Sequence, residues 1–273
     1  MRARRLLVVG ATIFVILGAG AGIGFAEEEE TSSAHPEFGV DLAFANKYVW
    51  RGMLLTDGPV FQPAATLGYK GASINVWGNL DLDNVNDNAG EFNEIDLTLD
   101  YTYAIKEFSV SGGLIYYDFP NTDFRSTLEL YVSGGVDILL QPCITVYFDV
   151  DQAQGIYGTL GLSHSFDLPD SESVVWSLDL ATSVGLGSSP YVDFYFGVHD
   201  AAFTDFYAEG SLPVTIFDQL TITPYIGVAM VLDTSLREQM AENAMKSVQA
   251  LSREKITETW EEIFNKLARP SIK

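Results

Sequence analysis

Cysteine is nearly absent: Cys143 is the only one in 273 residues. That excludes an intramolecular disulfide and a cysteine-based metal site, and leaves Cys143 as a small strand side chain. Histidine is almost as scarce, at His35, His164 and His199. Basic residues are few, with 15 Lys and Arg against 37 Asp and Glu, a formal net charge of −22. Nucleic acid binding needs a basic surface, so the balance argues strongly against such a partner. No dinucleotide fingerprint, phosphate loop or zinc spacing is present, and no cofactor or metal is expected. After residue 26 no stretch approaches about 18 consecutive apolar residues, so no helical membrane span follows.

What the first 26 residues do contain reads as a secretion leader. Arg2, Arg4 and Arg5 make a basic start, residues 6–15 an apolar run, and Gly24, Phe25 and Ala26 a small-residue cleavage site ahead of Glu27 to Glu30. The alternative is a retained anchor. Residues 27–37 are acidic, contain serine, end near Pro36 and read as a flexible lead-in.

The chain is 47% hydrophobic without long apolar runs because apolar residues recur at every second position. In residues 38–52, Phe38, Val40, Leu42, Phe44, Tyr48 and Trp50 share one face; Gly39, Asp41, Ala43, Ala45, Lys47 and Arg51 share the other. Residues 94–103 are clearest: Ile95, Leu97, Leu99, Tyr101 and Tyr103 alternate with Glu94, Asp96, Thr98, Asp100 and Thr102. A one-residue slip would put three carboxylates in lipid, so the register is fixed. About eleven such strands can be read between residues 38 and 233, with short turns alternating with usually longer loops. The expected fold is all-β, a transmembrane antiparallel up-and-down β-barrel of about 12 strands. Single-chain bacterial barrels prefer even numbers, so the twelfth is either the aromatic segment 191–198 or lies elsewhere. With the amino terminus in the periplasm, loops 83–90, 120–125 and 187–204 fall outside.

The pattern changes near Thr234. From there to residue 273, Leu236, Met240, Ala244, Val248, Leu251, Trp260, Ile263, Phe264 and Leu267 recur at helical spacing, and Arg269-Pro270 ends the run. This nearly neutral tail reads as an amphipathic α-helix that packs inside or under the barrel, meets a partner helix or lies on a membrane.

The box Asn46-Lys47-Tyr48-Val49-Trp50-Arg51-Gly52 resembles an uncharacterised family of bacterial outer-membrane β-barrels, sometimes called Gcw_chp. Further cues are the 97–101 strand leading through Lys106 to Gly112-Gly113, and Leu212-Pro213 followed by Leu220-Thr221-Ile222-Thr223-Pro224. The resemblance covers about residues 38–233 and implies a porin-like outer-membrane protein that meets outer-membrane lipid and the barrel-assembly machinery. Members usually end on a strand with a terminal aromatic; this chain has a helical tail and Lys273 instead.

For function, the pattern places Asp41, Glu94, Asp96, Asp100, Glu129, Asp137, Asp149, Asp151, Asp179 and Glu209 in an acidic lumen, with Lys47 and Arg51 as its bases. Carboxylate rings favour cations, so passive passage of small cationic or neutral solutes is the leading expectation. The alternative is a filled barrel acting as a structural or surface-interaction protein, in which these groups pair for structure alone. Arg51 is then either a constriction residue or the ion-pair partner of an interior carboxylate. Tyr48, Trp50, Tyr101, Tyr103 and Trp176 are expected at the membrane interface. A hydrolase would have to use His199 beside Asp200 and Thr204. Loop 81–87 offers oxygen ligands without the EF-hand pattern. Neither makes an enzyme or a metal protein of the chain. A soluble periplasmic β-sandwich is the remaining alternative.

Overall fold

A computed structural model describes residues 7–18, 35–169, 174–216 and 220–250. The basic start, the cleavage site, most of the lead-in and the tail beyond residue 250 lie outside the described residues. The strands are β1 (Leu7–Gly18), β2 (Glu37–Ala45), β3 (Tyr48–Trp50), β4 (Met53–Thr56), β5 (Val60–Tyr69), β6 (Ala72–Asp81), β7 (Phe92–Ile105), β8 (Phe108–Asp118), β9 (Thr127–Val136), β10 (Cys143–Asp149), β11 (Ile156–Asp167), β12 (Val174–Gly187), β13 (Ala202–Ser211), β14 (Val214–Ile216) and β15 (Leu220–Val231). Two helices join them, α1 (Ser189–Phe196) and α2 (Thr234–Ala250).

Every neighbouring pair in the wall is antiparallel, and all but the closing β1–β15 pair follow one another along the chain, the up-and-down order. Strands β13 and β14 lie in line, both between β12 and β15, and fill one wall position. With β3 and β4 paired only to each other, the wall among the described residues has twelve strands. The expected all-β barrel of about twelve strands is what the chain forms.

Closure comes from an unexpected place. Strand β1 pairs from Leu7↔Met230 to Leu17↔Leu220 with β15, and from Thr12↔Ala45 to Gly18↔Gly39 with β2. The apolar run read as the core of a leader is thus laid out as a wall strand, and Val8, Val9, Ile13, Val15 and Ile16 are β-branched residues suited to it. The candidate twelfth strand at 191–198 is a helix instead. Ser188 stands at the N-cap of α1 with its Oγ taken by the Ile156 N–H at 2.8 Å, Pro190 occupies the first turn, and Gly197 ends the helix at φ 73 with its N–H on the Asp193 carbonyl at 2.9 Å.

The two faces of the wall differ as the two-residue beat requires. Ile95, Leu97 and Leu99 on β7 are exposed outward, while Glu94, just before them and on the opposite face, is buried. The barrel's ends differ as well. Connections 70–71, 106–107 and 137–142 make a turn end. Loops 82–91 and 119–126, helix α1 and the start of α2 gather at the opposite, loop end. The buried apolar core sits at the loop end: Tyr157, Tyr191, Val192, Phe196, Ala202, Val231 and Leu236. Among the described residues no helix is long and apolar enough to cross a membrane.

Candidate functional site: the occupied interior

The 38–52 stretch is not one strand. After β2 the chain bends at Asn46 and turns into the barrel as the β3–β4 hairpin. Arg51 (φ 46) and Gly52 (φ 79) form its two-residue tip, both left-handed as a primed hairpin turn demands. A Cβ on Gly52 would stand 2.7 Å from the Asp205 Cβ, so only glycine lets the tip approach β13.

From this hairpin the side chains reach the wall in every direction. Tyr48 lies 5.7 Å from Trp77 of β6 and hydrogen-bonds Glu94 of β7. Trp50 packs edge-on to Tyr117 of β8 at 6.3 Å and to Tyr195 of α1 at 5.3 Å. The Arg51 guanidinium makes a fork to Glu129 of β9, Nη1 to Oε1 at 2.8 Å and Nη2 to Oε2 at 2.7 Å. It lies over the rings of Trp50 at 4.4 Å, Tyr147 of β10 at 4.4 Å and Tyr157 of β11 at 4.2 Å, with the Tyr191 ring at 5.8 Å. A hairpin rooted at the end of β2 that touches β6 to β11 and β13 must cross the interior. Tyr48 and Trp50, expected at the membrane interface, therefore sit inside; the bend at Asn46 removes them from the two-residue beat.

The cage is satisfied on the Arg51 side. Glu129, 1% exposed, also accepts from Tyr117 Oη at 2.9 Å. Tyr157 Oη donates to Asp205 at 3.1 Å, and Asp205 accepts from Thr204 Oγ1 at 2.7 Å. Helix α1 brings Tyr191 and Tyr195 down onto this network, and burial pushes both phenols above their ordinary range. It can pack so closely because Gly155 and Gly187 face Tyr191, where added Cβ atoms would come within 2.4 and 2.7 Å. Tyr117, Tyr147, Tyr157, Tyr191 and Asp205 complete a site that charge patterning alone does not reveal. The one available signal is the inward register of the tyrosines on β8, β10 and β11.

The remaining expected lumen carboxylates scatter. Glu94 is 5% exposed. Asp96 beside it has a buried Oδ1 without a hydrogen-bond partner. Asp100 takes the Tyr131 hydroxyl at 2.5 Å and Thr102 at 2.8 Å. Asp179 accepts from Ser165 and Ser177 at 2.6 and 2.8 Å, and Glu209 from Tyr207. Asp41 is half-buried on β2. Four positions are corrected. Asp149 is fully buried but braces a loop, taking Thr127 Oγ1 at 2.8 Å and the N–H groups of Asp151 and Ala153 at 2.9 and 3.1 Å. Asp151 is an exposed residue of that loop, because β10 ends at Asp149. Lys47 pairs with the exposed Asp57 at the hairpin base and not with the wall. Asp137 lies in the turn after β9, held by Gln141 at 3.1 Å.

On the outer face Tyr101 and Tyr103 are 55% and 58% exposed. Trp176, also outward, donates its indole N–H to the Pro169 carbonyl at 2.8 Å. His199 pairs with Asp193 at 2.7 Å in the open, while Thr204 is buried and bonded to Asp205. The two are not a nucleophile and its base. Among the described residues no group of three or more His, Cys, Asp or Glu is placed to hold a metal.

No family model and no curated protein matches the chain. Solved structures that overlap it include porins. A variant of the Rh. blastica porin is 13% identical over 83% of this chain and 100% of its own, at a TM-score of 0.27. A triple variant of the Rhodopseudomonas blastica porin gives 12% identity, the same coverages and 0.28. A porin refined at 1.8 Å gives 11% and 0.27. At these scores the overlap carries no argument.

Proposed function

We propose that the chain is an integral bacterial outer-membrane barrel that admits small cationic or neutral solutes to an acidic interior. The observation that carries this is the split across the wall. Apolar side chains such as Phe38, Leu97, Leu99, Val132 and Ile144 are exposed outside, with Glu94, Asp100, Glu129 and Asp179 on the inner register. An exposed apolar belt of that extent belongs in lipid, and carboxylates around an enclosed centre lower the energy of a cation there. The protein is expected to sediment with outer membranes and resist carbonate extraction; release as a soluble protein would refute the assignment. In liposome-swelling assays, cationic and neutral solutes should enter faster than anions of equal size.

A second reading is favoured by the occupied interior: a filled barrel that supports loops and tail without passing anything. Its support is the hairpin and α1 seated across the loop end.

Export through a leader ending at Ala26 belongs to the proposal. Strand β1 is antiparallel to both β2 and β15, so those two run in the same direction. Removing β1 would leave two facing edges that must close as a parallel pair, since unpaired backbone groups are not tolerated in lipid. The intact mass of the protein purified from outer membranes distinguishes a wall with β1 from one without it.

A further inference from the structure

We propose that the β3–β4 hairpin is a movable gate across the barrel, and that Arg51 is the latch that holds it shut. This rests on the solute-passing reading above.

The hairpin is attached differently from everything around it. Its two strands form a sheet of their own, and no ladder pairs either with a wall strand. Its base is tied through Thr56, which donates to Asp81 at 2.9 Å, and through Asn86, which reaches the Leu55 carbonyl at 3.3 Å. At its tip Trp50 and Met53 pack on the rings and core above, and one guanidinium makes the ion pair with the wall. Arg51 collects a carboxylate from β9, ring faces from β10 and β11, and the Tyr191 hydroxyl of α1 at 3.5 Å. Bidentate charge-assisted bonds with stacked rings are the strongest contacts a mobile element can make with a wall without joining its sheet. They also explain why a non-glycine residue stays in the left-handed region at φ 46.

The hold is lopsided. Toward β9, β10 and β11 every polar atom named above is paired. Toward β7 the hairpin sets Tyr48 on Glu94, which it hydrogen-bonds, while Asp96 beside it keeps a buried Oδ1 with no hydrogen bond, and among the described residues no ion pair joins either carboxylate to a base. The ion pair on the firm side depends on one residue, and on the opposite side closure leaves a carboxylate oxygen buried and unpaired, the arrangement of an element with two positions and a small gap between them. Swinging the tip away from β9 would expose Glu129, Glu94 and Asp96 together to the passage, so opening would itself create the cation-favouring ring.

Full-length wild type, Arg51→Ala, and a variant with residues 48–56 replaced by Gly and Ser would be compared in planar bilayers, each checked for heat-modifiable gel mobility. Wild type should open briefly and rarely. Arg51→Ala should show cation-selective steps with open times at least tenfold longer, and the hairpin-less barrel should stay open. If the hairpin-less barrel conducts while Arg51→Ala behaves as wild type, the latch is wrong and solute passage stands. If the folded hairpin-less barrel is silent, passage itself fails and the gate with it. Should Arg51→Ala not fold, Arg51→Lys keeps the charge but loses the fork; intermediate open times support the latch, and wild-type open times overturn it.

Discussion

The two ends of the barrel solve the same problem with different means. Both must hold carboxylates inside a sheet whose outer face is apolar. At the turn end, Asp179 and Glu209 are met by hydroxyls from the same or the next strand, Ser165, Ser177 and Tyr207, and Asp100 by Thr102 of its own strand and by Tyr131, which reaches across Gly113 from β9. At the loop end, Glu129 is met by a residue 78 positions away in sequence, carried in on a separate hairpin and walled by four rings. Among the described residues, local pairing brings no separate element into the turn end, whereas imported pairing fills the loop end. The difference teaches that interior charge in this barrel is not one ring but two environments, one paired from the wall itself and one packed against an imported hairpin.

The contrast breaks most readily at Glu129. Glu129→Ala would strand a buried guanidinium, and loss of about 3–5 kcal/mol is expected, read as lowered resistance of the folded band to heat and urea. Asp100→Ala, removing a locally paired carboxylate at the turn end, should cost only about 1 kcal/mol in the same assay. Equal losses would erase the distinction between the ends. Next in size is the outer face: Leu97→Arg should destabilise by about 2–4 kcal/mol in lipid, and Thr98→Arg on the inner register by much less.

The smallest effect belongs to α2. The Asp233 carboxylate accepts from the Ser235 N–H at 2.7 Å and its hydroxyl at 2.5 Å, which holds its pKa below the usual carboxylate range. A carboxyl lowered on folding stabilises the folded form above its unfolded pKa, and that contribution fades as pH falls through the folded value. Asp233→Ala should therefore loosen the start of α2 by about 1 kcal/mol at neutral pH and almost not at all in strong acid, as read by limited proteolysis near Leu236.

The wall was legible because a period of two needs nothing but neighbours: eleven of its strands show apolar residues at alternate positions, and β7 could take a single register. The start of α2 at Thr234 was legible from the change to helical spacing. Strand β1 was not, because an apolar run behind three arginines satisfies the chemistry of a leader and of a buried strand alike. Helix α1 was hidden by aromatics that suit strands; Ser188, Pro190 and Gly197 were its readable signs. The interior site was missed where long-range geometry decides. Arg51 could be given a carboxylate partner in principle, but nothing local points to Glu129, and Trp50 continues the β2 alternation across a bend the pattern does not show. Asn46 and the Arg51-Gly52 pair mark that bend only once the hairpin is known.

The direct measurement is where Trp50 points. A photoreactive phenylalanine analogue placed at residue 50 of the full chain in outer-membrane vesicles should, on irradiation, join to peptides containing Tyr117 or Tyr195, whose rings lie 6.3 and 5.3 Å away. Adducts with phospholipid or lipopolysaccharide, and none with those peptides, would put Trp50 on the outside and contradict the occupied interior.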